Sequence, residues 1–206
     1  MTSYEHKVKN IYLWPEDYQE VEYIESTGTQ YILLSGEFKT SYKTTCVFQL
    51  TQTWGDQMIL WARFSNYNTR YWIDCWRWYI TTIAWNSATS SSHEWWTTTI
   101  PEDINKHTVT VDKTNVTVDG VWYTQTHNNN TTNQLGVFAY NNNDTIESKA
   151  NTKIYSCEIR DENNVKIYDL IPCYRTIDNE IGMYDTVNDV FYTNSGTWTF
   201  IKWPNV

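Results

Sequence analysis

An all-β sandwich is the fold class that the sequence predicts, and three observations carry that reading. Apolar and polar residues alternate with period two along most of the chain, the pattern of half-buried strands and not of helices. Thr and Asn together supply about a quarter of the 206 residues, a composition that favours strands, turns and polar recognition surfaces. No amphipathic stretch runs beyond two helical turns, and Pro101 to Asn105 is expected to form at most a single turn. About a dozen short strands at regular spacing then imply a sandwich or jelly roll.

Taken in order, Glu20 to Ile24 reads as a strand, and Ser26-Thr27-Gly28-Thr29 turns the chain into Gln30 to Leu34. Thr44 to Leu50, Gln57 to Arg63, Tyr71 to Cys75 and Trp78 to Trp85 follow as strands. The clearest local signal is the hairpin His107 to Asp112, Lys113-Thr114-Asn115, Val116 to Gly120, whose valines alternate with polar residues. Gln134 to Tyr140 is expected as one strand between the polar loops Asn128 to Asn133 and Asn141 to Asp144. Lys153 to Arg160 and Val165 to Leu170 form a further hairpin around Asp161-Glu162-Asn163-Asn164, and Gly182 to Tyr184 and Val190 to Tyr192 close the fold. Residues 1–18 lack alternation and are expected as an arm or linker, leaving 19–206 as the domain.

Composition narrows the function. With 40% hydrophobic and 17% aromatic residues the chain is too apolar to be disordered. A formal net charge of -9 disfavours nucleic acid as a partner, because phosphate binding needs a basic surface. Anionic lipid would repel the same charge, and no apolar run reaches the roughly 18 to 20 residues of a membrane span, so no membrane partner is expected. Met1 to Val21 has no apolar segment of the signal-peptide kind. Cys46, Cys75, Cys157 and Cys173 form no CxxC pair and are expected as reduced, buried thiols. The spacing of Cys157 and Cys173 suits adjacent strands, which leaves a disulfide between them open if the protein ends up outside a cell.

Two regions carry a resemblance. Val21-Glu-Tyr-Ile-Glu-Ser-Thr-Gly-Thr-Gln-Tyr-Ile32 lies at the start. Towards the end stand Lys153-Ile-Tyr-Ser-Cys157, Asp169-Leu-Ile-Pro-Cys173-Tyr-Arg175, Ile181-Gly-Met-Tyr-Asp185 and Phe191-Tyr-Thr-Asn-Ser-Gly-Thr197. Together they resemble the LamG-like, concanavalin A-like jelly-roll domains common in phage tail and bacterial surface proteins. The resemblance covers roughly residues 20 to 203 and departs after the first hairpin, where Leu33-Leu34-Ser35-Gly36 replaces the usual Asp-Thr-Gly. It implies a concanavalin A-like jelly-roll sandwich of two antiparallel sheets. It also implies a virion or extracellular surface location, a glycan or host surface receptor as partner, and assembly as a homo-oligomer or part of a larger particle.

The same comparison addresses an oddity. Tryptophan (12) outnumbers glycine (7) in a turn-rich chain. Trp14, Trp61, Trp198 and Trp203 stand where the resembled family tends to carry glycine, and Trp95-Trp96 fits Gly-Gly. The expectation is a source that reads UGA as glycine; the other reading is a Trp-rich binding face.

The chain offers little to catalysis. Glu20, Glu22 and Glu25 have the spacing of some paired glycosidase carboxylates, but they fall on the opening strand and read as solvated edge residues. His6, His93, His107 and His127 show no metal or hydrolase spacing, and His107 is expected to be a hydrogen-bonded structural residue. No cofactor is expected; calcium is the one ion that Asp74, Asp112, Asp119 and Asp144 could take through oxygen ligands. The positive signal is loop chemistry. Asn66, Tyr67, Arg70 and Tyr71, with Asn128 and Asn142 in the later loops, combine amides and phenols, which suit sugar hydroxyls and apolar sugar faces. These are the candidate ligand-binding residues of a non-enzymatic binding module. A glycan hydrolase of the same architecture and a purely structural decoration domain are the alternatives.

Overall fold

The structure is a computed structural model that describes residues 14–63, 69–76, 79–86, 97–125, 131–142 and 144–206. Its strands are β1 (Tyr18–Thr27), β2 (Ile32–Leu33), β3 (Phe38–Lys39), β4 (Lys43–Leu50), β5 (Gln57–Arg63), β6 (Thr69–Trp76), β7 (Tyr79–Asn86), β8 (Thr97–Pro101), β9 (Lys106–Asp112) and β10 (Asn115–Val118). They continue with β11 (Val121–Thr124), β12 (Thr131–Thr132), β13 (Gly136–Val137), β14 (Ala139–Asn142), β15 (Thr145–Lys149), β16 (Asn151–Arg160), β17 (Lys166–Arg175), β18 (Ile181–Asp185), β19 (Val190–Thr193) and β20 (Ile201–Asn205). No helix occurs among the described residues.

Two large sheets face each other as a β sandwich. The first runs β11-β10-β9-β4-β16-β1-β17-β18-β19, with β20 added on β1. The second runs β15-β14-β5-β6-β7-β8, with β13 and β2 attached, and β3 and β12 form a separate two-stranded pair. Between them lies one continuous core that includes Ile24, Phe48, Ile154, Ile159, Leu170, Val109 and Val111 of the first sheet and Leu60, Ile73 and Ile80 of the second. The alternation that predicts these strands is the same alternation that fills the core. In β4 every second residue (Thr44, Cys46, Phe48, Leu50) is buried, and in β9 His107, Val109 and Val111 are.

Three expectations are corrected. Pro101 ends strand β8 and starts no helical turn. The segment from Gln134 to Tyr140 is not one strand, because it breaks at Phe138, which takes a left-handed backbone with φ 67°. The Phe138 N–H donates to the Ile59 carbonyl at 2.8 Å, its carbonyl accepts from Ala150 at 2.8 Å, and its ring packs on Phe200, so burial and hydrogen bonds hold the strained conformation. Beyond that break β14 lies parallel to β5, so the second sheet is mixed where two antiparallel sheets were expected.

The shortage of glycine has a partial answer in the turns. Of eight non-glycine residues with positive φ among the described residues, five are Asp119, Asp144, Asn164, Asn179 and Asp189. Short polar side chains that hydrogen-bond locally tolerate this region, so Asn and Asp do much of glycine's work here. Trp198 (φ 63°) does not fit that explanation, since its side chain is bulky and 81% exposed.

Candidate functional site: a polar groove across the first sheet

The outer face of the first sheet carries a groove of about 600 Å³. Its construction follows from strand register. The two-residue turn Asp119-Gly120 pairs Val118 with Val121 and so sets Trp122 opposite Thr117. Thr117 pairs with Thr110, Thr110 with Thr45, Thr45 with Glu158, and Glu158 with Asp169. Because cross-strand partners share a face, these six residues form one row over six strands. At about 4.8 Å per strand, the four steps from Trp122 to Glu158 span roughly 19 Å.

Each part of the row has its own chemistry. Trp122 is 73% exposed on the edge strand and offers an open aromatic face. Thr45 and Thr110 share a hydroxyl–hydroxyl hydrogen bond of 3.0 Å and present a floor of small polar groups. At the far end Glu158 accepts from Arg160 Nε at 2.6 Å and from Lys166 Nζ at 2.8 Å, and Lys166 also reaches Asp169 at 2.8 Å. Partial burial pushes the Glu158 carboxyl up, but the hydrogen bonds from Arg160 and Lys166 outweigh it and hold the group below its ordinary range. Arg160 also donates to the Asn164 carbonyl at 3.1 Å, which fixes the groove's rim. Lys43, Asp112 and Asn115 complete the lining one step along the strands. Neither Lys43 nor Asp112 has an ion-pair partner among the described residues, so both charges face the groove unpaired.

The residues proposed from loop composition fare differently. Asn66, Tyr67 and Asn128 lie outside the described residues, as do His6, His93, His127 and Trp95-Trp96. Arg70 and Asn142 are brought together on the outer face of the second sheet, since each pairs with Arg63 from opposite sides. There Asn142 donates to Glu147 at 2.6 Å, and the Arg70 guanidinium lies 5.6 Å from the Trp72 ring. Tyr71 is a correction. Strand alternation turns its ring inward, where it is fully buried against Phe38, and burial pushes its phenol up. A buried phenol touches no ligand.

The four candidate calcium ligands are dispersed. Asp74 is buried on β6 and accepts from the Thr81 hydroxyl; Asp119 accepts from His107; Asp144 accepts from Asn133; Asp112 lines the groove. No group of three or more acidic, His or Cys side chains with metal-binding geometry occurs among the described residues. His107 is buried, with Nδ1 2.7 Å from Asp119 and Nε2 3.0 Å from Asp103, so its place is structural. Among the three opening-strand acids, Glu22 pairs with Lys106 at 3.7 Å.

Sequence reasoning therefore missed Trp122, Thr45, Thr110, Thr117, Glu158 and Arg160. A usable signal was present in the Asp-Gly turn after Val118, which forces a second hairpin and sets an aromatic beside the polar face of the first. Compared with known proteins, the chain matches no family model, and no curated protein is significantly similar to it.

Proposed function

We propose that this chain is a non-enzymatic glycan-binding module whose site is the groove across the first sheet. The observation that carries the reading is the row from Trp122 to Glu158: an open indole at one end, hydroxyls between, and an ionised carboxylate with a guanidinium at the other. Sugars use these features, with apolar faces stacking on aromatics and hydroxyls bonding to planar charged groups. The groove lining carries Lys43 and Arg160 against Asp112 and Glu158, so its charges balance, which favours a neutral oligosaccharide over a polyanion.

Hydrolysis would ask for a protonated carboxyl beside the scissile bond. Glu158 is held ionised and reads instead as a hydrogen-bond acceptor. The fold of the module is, in this reading, the concanavalin A-like jelly roll. Its location is a virion or cell surface, where several copies in an assembly multiply weak individual affinities. An array of neutral and anionic oligosaccharides, probed with and without chelator, tests the proposal. Retention of neutral glycans, without product release and unchanged by chelator, is the expected result; a folded sample that retains none sinks it.

The glycine-for-tryptophan expectation belongs with this reading, because it decides which indoles are real. Of Trp14, Trp61, Trp198 and Trp203, only Trp198 has a positive φ. Trp14 donates its indole N–H to the Tyr18 carbonyl at 2.7 Å, and Trp61 stacks on Trp72 at 4.3 Å. The left-handed backbone at Trp198 supports glycine there, whereas Trp122 sits in a regular strand and makes no such demand. The source gene is expected to read UGA at 198 and UGG at 122, and UGG at 198 would end the idea.

A further inference from the structure

We infer that Cys46 and Cys157 form a disulfide-competent pair joining the two central strands of the first sheet. Register brings the two together. Cys157 of β16 lies directly opposite Cys46 of β4, in a pairing that runs from Thr152–Leu50 to Arg160–Lys43. Directly opposed residues in an antiparallel pair have Cα atoms about 4.5 to 5.5 Å apart, within the span a disulfide bridges. Both side chains are fully buried in the core, and both thiols are free.

The alternatives are closed by the same geometry. Cys173, the partner that spacing left open, lies opposite Gly182 on one side and Glu20 on the other. Cys75 belongs to the second sheet, opposite Gln57 and Ile80. The pair is therefore specific, and it links positions about 110 residues apart, across nearly all of the second sheet's strands. A bond closing so long a loop restricts the unfolded chain strongly.

The chemistry is thiol–disulfide exchange with an oxidised small-molecule disulfide such as oxidised glutathione. One cysteine thiolate attacks a glutathione sulfur, forming a mixed disulfide and releasing one glutathione thiolate. The second cysteine thiolate attacks the protein sulfur of that mixed disulfide, forming Cys46–Cys157 and releasing the second. Two electrons pass from the cysteines to glutathione, and the two cysteine protons end on the two glutathione thiols. Complete burial keeps reagents out of the folded protein, so closure belongs to folding in an oxidising compartment.

The test is refolding in an oxidised and reduced glutathione buffer, then alkylation in denaturant, intact mass and peptide mapping. The expected result is two alkylated thiols, Cys75 and Cys173, with a linked peptide pair containing Cys46 and Cys157. The melting temperature is expected to be several degrees lower for protein refolded in reductant than for protein refolded in the glutathione buffer. C46A and C157A are expected to abolish both the link and the reductant sensitivity. If either variant fails to fold, the wild-type map still decides. Four alkylated thiols after refolding, or a link through Cys173 or Cys75, would overturn the inference, and neither result bears on glycan binding.

Discussion

The outer faces of the two sheets are built on opposite plans. On the first sheet, β4 and β9 alternate buried and part-exposed residues, and the outward set forms the threonine row and the charged end of the groove. On the second, β5 is buried at six consecutive positions, Gln57 to Ala62, because both its faces are covered. Its outer side carries a compact cluster of Met58, Trp61 and Trp72 with Tyr140 against it. Trp61 and Trp72 stack with centroids 4.3 Å apart and planes 11° apart, while Trp122 on the first sheet has no such neighbour among the described residues and is largely exposed. The same residue type is packing material on one face and a candidate ligand platform on the other. Abundance of tryptophan alone therefore says nothing about binding.

The two faces also treat carboxyl groups in opposite ways. Glu158, between Arg160 and Lys166, is held below its ordinary range. Asp74, buried beside the Thr81 hydroxyl, is pushed up to about 8 by desolvation, with Asp56 and Glu102 adding to the effect. The stability consequences have opposite signs. A depressed folded pKa adds stability that is present at neutral pH and lost as pH falls through the carboxylate range; a raised one adds stability that is present below about pH 4 and lost as pH rises to about 8.

The largest expected break of this contrast comes from the covered side. Trp72→Ala should cost about 3 to 5 kcal/mol by the usual large-to-small rule, measured by denaturant unfolding, and should leave groove affinity intact in the protein that remains folded. Asp74→Asn comes next. It should raise the melting temperature by several degrees at pH 8 and by much less at pH 4, with thermal scans across that range as the check. An equal shift at both values would show that Asp74 does not titrate as argued. Trp122→Ala should weaken oligosaccharide binding about tenfold or more while changing stability by less than about 0.5 kcal/mol, since the side chain is exposed. The smallest effect is Trp198→Gly, expected to stabilise by about 1 kcal/mol by relieving a left-handed bulky residue that no packing offsets. A loss of stability there would remove the conformational case for glycine.

What could be read in advance divides along the same line. Where one face of a strand is wet, as in β4, β9 and β10, period two is unambiguous, and the His107 hairpin was legible residue by residue. Where both faces are covered, alternation vanishes, so nothing in Gln57 to Arg63 told which side Trp61 would take. The strand expected over Gln134 to Tyr140 failed because Phe138 adopts a conformation that tertiary hydrogen bonds impose and no local propensity announces. The groove was not legible as a site because its row draws one residue from each of six strands, and register across β4, β9 and β16 is a property of the folded sheet. Tyr71 differs for a simpler reason: a phenol near a polar loop reads as a surface group, yet strand parity points it at Phe38.

Trp122 and the polar row beside it carry the glycan-binding reading. Oligosaccharide-array binding of the wild-type chain and Trp122→Ala, with matched melting temperatures, tests it most directly. The wild type is expected to retain neutral glycans and the variant to lose them at unchanged stability. A folded wild-type chain that retains no glycan, or a variant that retains them equally, would contradict it.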